Sequence, residues 1–222
     1  DTDALDVPLA QLKAAGEADV ARNTAMLKDV CAGYAPGATL RECVEKSNLV
    51  TPPQGPVQAA RDKLPMLREF VRTHDLVTIP SEEQARVEEA PPYNRSNTAY
   101  INIPGPYEKN AAAVYSISPP DPSWTKAEQR AYIGGEAKLT NTTIHEVWPG
   151  HFLQYLHANR SKSMVGRLFV GYDFAEGWGH YAEELMQEAG FGNDSPEARI
   201  AQLRDALWRD ARFLSSIGLH TE

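Results

Sequence analysis

The chain has 222 residues, 42% of them apolar, which suffices for a globular core and excludes a disordered polymer. Its formal net charge of −8 sets nucleic acid and anionic lipid aside as partners, because an acidic surface repels both. No apolar run approaches the roughly 20 residues that a spanning helix needs, and the opening Asp1-Thr2-Asp3 is not a secretory leader, so any such segment is expected to be removed or to lie outside this chain.

Residues 7–31 place Leu9, Leu12, Val20, Met26, Leu27 and Val30 at helical spacing, and a short second helix is expected over 40–46. The two cysteines, Cys31 and Cys43, flank the turn-forming stretch 32–37, near the mouth of one helical hairpin. An even cysteine count across a turn favours a disulfide, and an oxidising compartment, over two reduced thiols. The Pro- and Gly-rich run 51–56 breaks the chain, and another helix follows with Leu64, Met66, Leu67, Phe70 and Val71. This break suggests an N-terminal helical hairpin region over 1–55 and a catalytic core over 56–222.

The pattern then changes. Residues 76–80 are strand-like, Pro91-Pro92 marks a loop, and 98–103 and 113–118 alternate with β-branched and aromatic side chains. The strand near 114–118 could pair with an extended peptide if it lies at an edge, although a core strand is the simpler reading. From residue 125 the chain turns helical, with helices expected over 125–137, 140–160 and 173–189, the last closing at Gly190. A final helix begins with Ser195 as N-cap and Pro196 at its first position, buries Ile200, Leu203, Leu207 and Leu214, and ends near Gly218. The overhang Leu219-His220-Thr221-Glu222 reads as a cut end, so a longer native protein is expected. The fold class is α+β, predominantly helical, with a small, mostly antiparallel sheet.

The chemistry concentrates in His145-Glu146-Val147-Trp148-Pro149-Gly150-His151. His followed by Glu is the first half of the zinc-peptidase motif H-E-x-x-H, in which two histidines one helical turn apart bind zinc and the Glu activates water. Here the fourth position is Pro149, and the second histidine, His151, comes at the sixth. On a regular helix the sixth position lies about 240° around the axis, which would point the imidazoles apart. Pro149 also cannot donate to the carbonyl of His145, so the helix must unwind across Pro149-Gly150 before the two rings can converge. Without such unwinding, these are two ordinary histidines beside a proline kink.

A third ligand comes from Phe174-Ala175-Glu176-Gly177-Trp178, where Glu176 sits between aromatic neighbours on the next expected helix. A carboxylate in an apolar stripe calls for a cation or metal. Glu183, Glu184 and Glu188 fit exposed helix positions better.

Together, 145–154, the stretch Phe174-Ala175-Glu176-Gly177-Trp178-Gly179-His180-Tyr181-Ala182-Glu183, and Gly218-Leu219-His220 resemble the DUF885 family of bacterial proteins. Many members are classed as lipoproteins and look like distant relatives of gluzincin metallopeptidases. The family pattern is H-E-x-x-P-G-H, then E-G-W, then G-L-H. Weaker similarity runs through 70–80. Phe152 departs from the pattern, since many members carry a further histidine there. The resemblance implies a zincin-like helical domain, with Zn2+ on His145, His151 and Glu176, and Glu146 as general base. A hydrolase of this class also needs donors for the developing oxyanion; the candidates are Tyr115, Tyr181 and His220, the last placed as in the family's G-L-H, with a flexible terminal histidine as the alternative reading. Tyr181, at about 140° from Glu176 on a helix, reads more simply as core. His180 shares the face of Glu176 and could support a ligand. Arg212, with Arg204 and Arg209, could hold a substrate carboxylate, although salt bridges to the acidic excess are the default.

The resulting expectation is a zinc metallopeptidase acting on a peptide or small amide, periplasmic or secreted, with room for a lipid anchor upstream. Two alternatives stand beside it: a zinc hydrolase of non-peptide amides or esters, and a non-catalytic envelope binding protein on the same fold.

Overall fold

The structure is a computed structural model that describes residues 6–221. The opening Asp1-Thr2-Asp3 and the terminal Glu222 of the expected overhang lie outside the described residues. In chain order the elements are α1 (Leu9–Tyr34), α2 (Leu40–Ser47), α3 (Pro56–Thr73), β1 (Arg86–Glu89), β2 (Ala99–Asn102), β3 (Val114–Ile117), α4 (Lys126–Ile133), α5 (Gly135–Glu146), α6 (His151–Ala158), α7 (Met164–Leu168), α8 (Tyr172–Glu188) and α9 (Pro196–Thr221). The architecture is predominantly helical α+β, as expected. No described helix is long and apolar enough to cross a membrane.

The chain divides into two compact units, one built from residues up to 47 together with 192 onward, the other from 48–191. In the first unit α9 joins α1 and α2 around Leu27, Cys31, Cys43, Ile200 and Leu203. Cys31 and Cys43 form a disulfide with Cα atoms 5.9 Å apart, as the spacing across the turn suggests. Thr39 and Glu42 cap each other at the start of α2. Ser195 caps α9 through the Ala198 N–H, with Pro196 in the first position. The helix does not stop near Gly218. It continues to Thr221, because glycine lowers helix propensity but still supplies its N–H and C=O to the ladder.

In the second unit α3 lies against α5 and the sheet. Arg61 donates to the Val87 carbonyl at 2.9 and 2.7 Å, tying helix to strand. The shared core holds Leu67, Val71, Tyr115, Ile144, Trp148, Leu153 and Met186. The sheet is mixed rather than mostly antiparallel: in the order β1-β3-β2, β1 runs parallel to β3 and β2 antiparallel to it. Val87 stands opposite Tyr115, and Tyr115 opposite Ile101. β3 is therefore the central strand, with both edges occupied, which answers the edge-strand expectation in favour of a core strand.

Two further expectations change. Residues 76–80 form no strand; Leu76, Val77 and Ile79 pack on the core as irregular chain. The third strand is β1, whose only buried residue is Val87, so its charged flanks hide the alternation that pattern reading needs. The helix expected over 140–160 is two helices, α5 and α6, separated by Val147–Gly150.

Candidate metal centre

The break between α5 and α6 brings the two histidines together. Pro149 has no N–H, and the ladder is resumed by long steps: the Gly150 N–H donates to the Ile144 carbonyl at 3.0 Å, and the Leu153 N–H to the Val147 carbonyl at 3.4 Å. Only glycine fits at 150, because a Cβ there would overlap the His145 carbonyl oxygen. The Trp148–Pro149 peptide is cis. Trp148 is buried and meets Phe152 edge to face at 5.1 Å, which seats the turn in the core. From α8, the Trp178 indole N–H donates to the Pro149 carbonyl at 3.0 Å. The outcome is that the rings of His145 and His151 lie 4.7 Å apart at 83°, instead of on opposite sides of a helix.

Glu176 comes to the same place from α8. Its Oε2 lies 3.5 Å from His145 Nε2 and its Oε1 lies 3.7 Å from His151 Nε2. One ligand atom from each of His145, His151 and Glu176 lies within 4.8 Å of the others. Ligands on a tetrahedral zinc, at bonds of roughly 2.0–2.1 Å, stand about 3.4 Å apart, so the two measured His–Glu separations suit such an ion. Glu176 is 43% exposed, less enclosed than its aromatic neighbours in sequence suggest, because Phe174 points largely to solvent. Two buried imidazoles and one accessible carboxylate leave the group open to solvent on the Glu176 side.

Glu183 is the residue that sequence reading misplaced. It is 0% exposed, not a surface helix position. Its Oε1 accepts from His145 Nδ1 at 2.8 Å, and its Oε2 accepts from Asn141 Nδ2 at 2.7 Å. A carboxylate only accepts, so His145 donates from Nδ1 and turns its Nε2 toward Glu176. Carboxylate–imidazole pairs of this kind orient metal ligands and raise their basicity. The ring has room because residue 179 is glycine; a Cβ there would lie 2.6 Å from His145 Cε1. The signal was available in the spacing: Glu176, Gly179 and Glu183 are three and seven positions apart, hence on one face of α8. Asn141 is likewise one turn before His145 on α5.

Glu146, the residue next to His145, is half-buried at the C-terminal end of α5. Tyr115 is 0% exposed on the central strand, with its hydroxyl 3.4 Å from Thr143 Oγ1. Burial first, and then the charge of Glu146, push the Tyr115 hydroxyl above the usual phenol range. Tyr115 is thus a buried residue of the central strand, closed to solvent. Tyr181 is exposed, not core, with its ring 6.0 Å from that of Trp178. His180 is half-buried on α8. His220 and Arg212 are exposed on α9, in the first unit, and His220 Nδ1 donates to the Ser216 carbonyl at 2.8 Å. His145, His151, Glu176 and Glu146 all belong to the second unit.

A family model described as "Bacterial protein of unknown function (DUF885)" matches residues 1–222. No curated protein matches the sequence. Among solved structures, the chain is similar to a candidate lipoprotein of unknown function from Shewanella oneidensis, at 25% identity and a TM-score of 0.83, covering 97% of this chain and 41% of that one. A candidate lipoprotein from Colwellia psychrerythraea shares the fold at 19% identity and a TM-score of 0.77, covering 98% of this chain and 37% of that one. The chain thus spans about two fifths of the length of either structure.

Proposed function

The chain belongs to the DUF885 family, and from the imidazoles and carboxylates gathered at its α5–α6 break we propose that it is a zinc-dependent hydrolase of peptide bonds. The observation that carries this reading is the convergence of His145, His151 and Glu176 within 4.8 Å, with Glu146 next to His145 in the chain. Those three side chains would hold the ion, and zinc, when bound, would lower the pKa of water and polarise the substrate carbonyl.

The chain's own groups supply the rest. Glu183 fixes the tautomer of His145, so that Nε2 faces the site. Glu146 takes a proton from the attacking water as the water oxygen bonds to the carbonyl carbon, and returns it to the leaving nitrogen, so the C–N bond breaks and a carboxylic acid and a neutral amine result. Tyr115, held neutral behind Glu146, adds no competing charge to that base. The family's G-L-H makes His220 a candidate for the oxyanion, but the proposal stands on the residues of the second unit alone. A periplasmic or secreted setting is supported by the Cys31–Cys43 disulfide and by the candidate lipoproteins that share the fold.

The test is turnover of a mixed peptide library by the zinc-loaded chain and by Glu146→Gln. The variant is expected to keep its zinc and lose activity about 100-fold or more. Undiminished turnover in Glu146→Gln would remove the base from the mechanism. Turnover confined to esters or simple amides would replace the peptide substrate.

A further inference from the structure

Next to the metal centre, within the second unit, lies a cavity of about 510 Å3, whose walls include Leu153, Gln154, His157, Phe169, Phe174 and Trp178. Two of the three helices that carry the centre, α6 and α8, also line it. Gln154 and His157 follow His151 on α6 by three and six positions, and Phe174 and Trp178 bracket Glu176 on α8. Trp178 joins the two places directly, since it lines the cavity while donating to the Pro149 carbonyl in the turn between the histidines. The volume falls in the range of about 300–1,000 Å3 usual for ligand pockets.

The lining selects its occupant. No carboxylate, ammonium or guanidinium lines the cavity, and its one imidazole, His157, already donates from Nε2 to the Thr78 carbonyl at 2.7 Å. A charged side chain placed there would lose water and gain no counter-ion. Phe169 and Phe174, at the cavity wall, are 74% and 62% exposed, so an apolar occupant would cover aromatic surface that now faces water. Gln154 is a second, independent pointer. Its side-chain nitrogen and oxygen are buried without a hydrogen-bond partner among the described residues. A peptide group offers one donor and one acceptor, the complement of that amide.

We propose that this cavity is the specificity pocket of the site: it receives a large, uncharged apolar side chain of a peptide whose backbone lies at the His145–His151–Glu176 centre. The proposal rests on the hydrolase reading and narrows its substrate class to peptides with a bulky apolar residue beside the scissile bond.

The test measures binding apart from turnover. In the zinc-loaded Glu146→Gln chain, equilibrium dialysis compares acetyl-Ala-Phe-Ala-amide with acetyl-Ala-Asp-Ala-amide. The phenylalanine peptide is expected to bind about tenfold tighter or better. Ala158→Trp, which fills the cavity from α6 away from the ligands, should bring the two affinities together. Phe174→Ala, at an exposed position that the fold does not need, should cut the preference by about threefold. Equal affinities in Glu146→Gln, or a preference unchanged in Phe174→Ala, overturn the pocket, even if Ala158→Trp fails to fold. A phenylalanine peptide bound with preference but never cut by the unaltered chain leaves the pocket standing and sinks the hydrolase reading. Cutting without side-chain preference does the reverse.

Discussion

The two compact units spend their buried residues differently. The first secures long helices with a disulfide and an apolar cluster, and its buried Asn23 and Asp210 pair with each other at 2.9 Å. The second breaks a helix in its core and sets two imidazoles and a buried carboxylate around the break. Among the described residues, His145, His151 and Glu176 are the one group of such side chains close enough to share a metal ion. Buried polarity alone therefore does not mark a site, since both units have it. What marks it is polarity that converges on a common point and is kept there by groups that do nothing else, here Glu183, Gly150 and Gly179.

The sharpest way to break this contrast is Glu183. Glu183→Gln keeps an acceptor for His145 but sets an amide NH2 against Asn141 Nδ2, and it should weaken zinc binding about 10- to 100-fold in a chelator competition. Glu183→Ala should weaken it further and lower stability by about 3 kcal/mol or more, because Asn141 and His145 are left buried without their acceptor. Affinity unchanged in both variants would make Glu183 a mere packing residue.

Reduction of the Cys31–Cys43 disulfide should act on the first unit only. Its sequence separation of 12 implies a loss of about 3 kcal/mol by the chain-entropy argument. Hydrogen exchange should then quicken in α1 and α2 and stay unchanged in α5, α6 and α8. Zinc content that falls in step with reduction would show that the two units are not separable in this way.

The smallest effects come from two glycines on α8. Gly179→Ala must push against the His145 ring, and is expected to cost about 1–3 kcal/mol in thermal unfolding together with some zinc affinity. A Cβ at Gly177 meets nothing within 4 Å, so Gly177→Ala should instead stabilise by about 0.5–1 kcal/mol through helix propensity. Equal shifts in both would mean that the ring does not rest on residue 179.

Much of this was readable in the sequence, for reasons that are physical. Helices with strong periodicity or caps, such as α3 and α9, follow from pattern and from Ser195-Pro196. The grouping of His145, His151 and Glu176 follows from residue type and spacing, although Glu176 is more exposed than its aromatic neighbours suggest. The bend at Pro149 follows from its missing N–H, although whether one kinked helix or two would result depends on the hydrogen bonds that Gly150 and Leu153 make in the folded chain. β1 was hidden because three of its four residues face solvent and carry charge. Glu183 was missed because its partner, His145, is 38 positions away on another helix, and the one local clue, its place on the face of Glu176, does not by itself tell a buried carboxylate from an exposed one.

The most direct test is zinc itself. Metal analysis of the purified chain after dialysis against trace zinc should find about one ion per chain, and His151→Ala should lose it while keeping its helical circular dichroism. A chain that retains no zinc, or a His151→Ala variant that retains it in full, would contradict the claim that the broken helix exists to hold a metal.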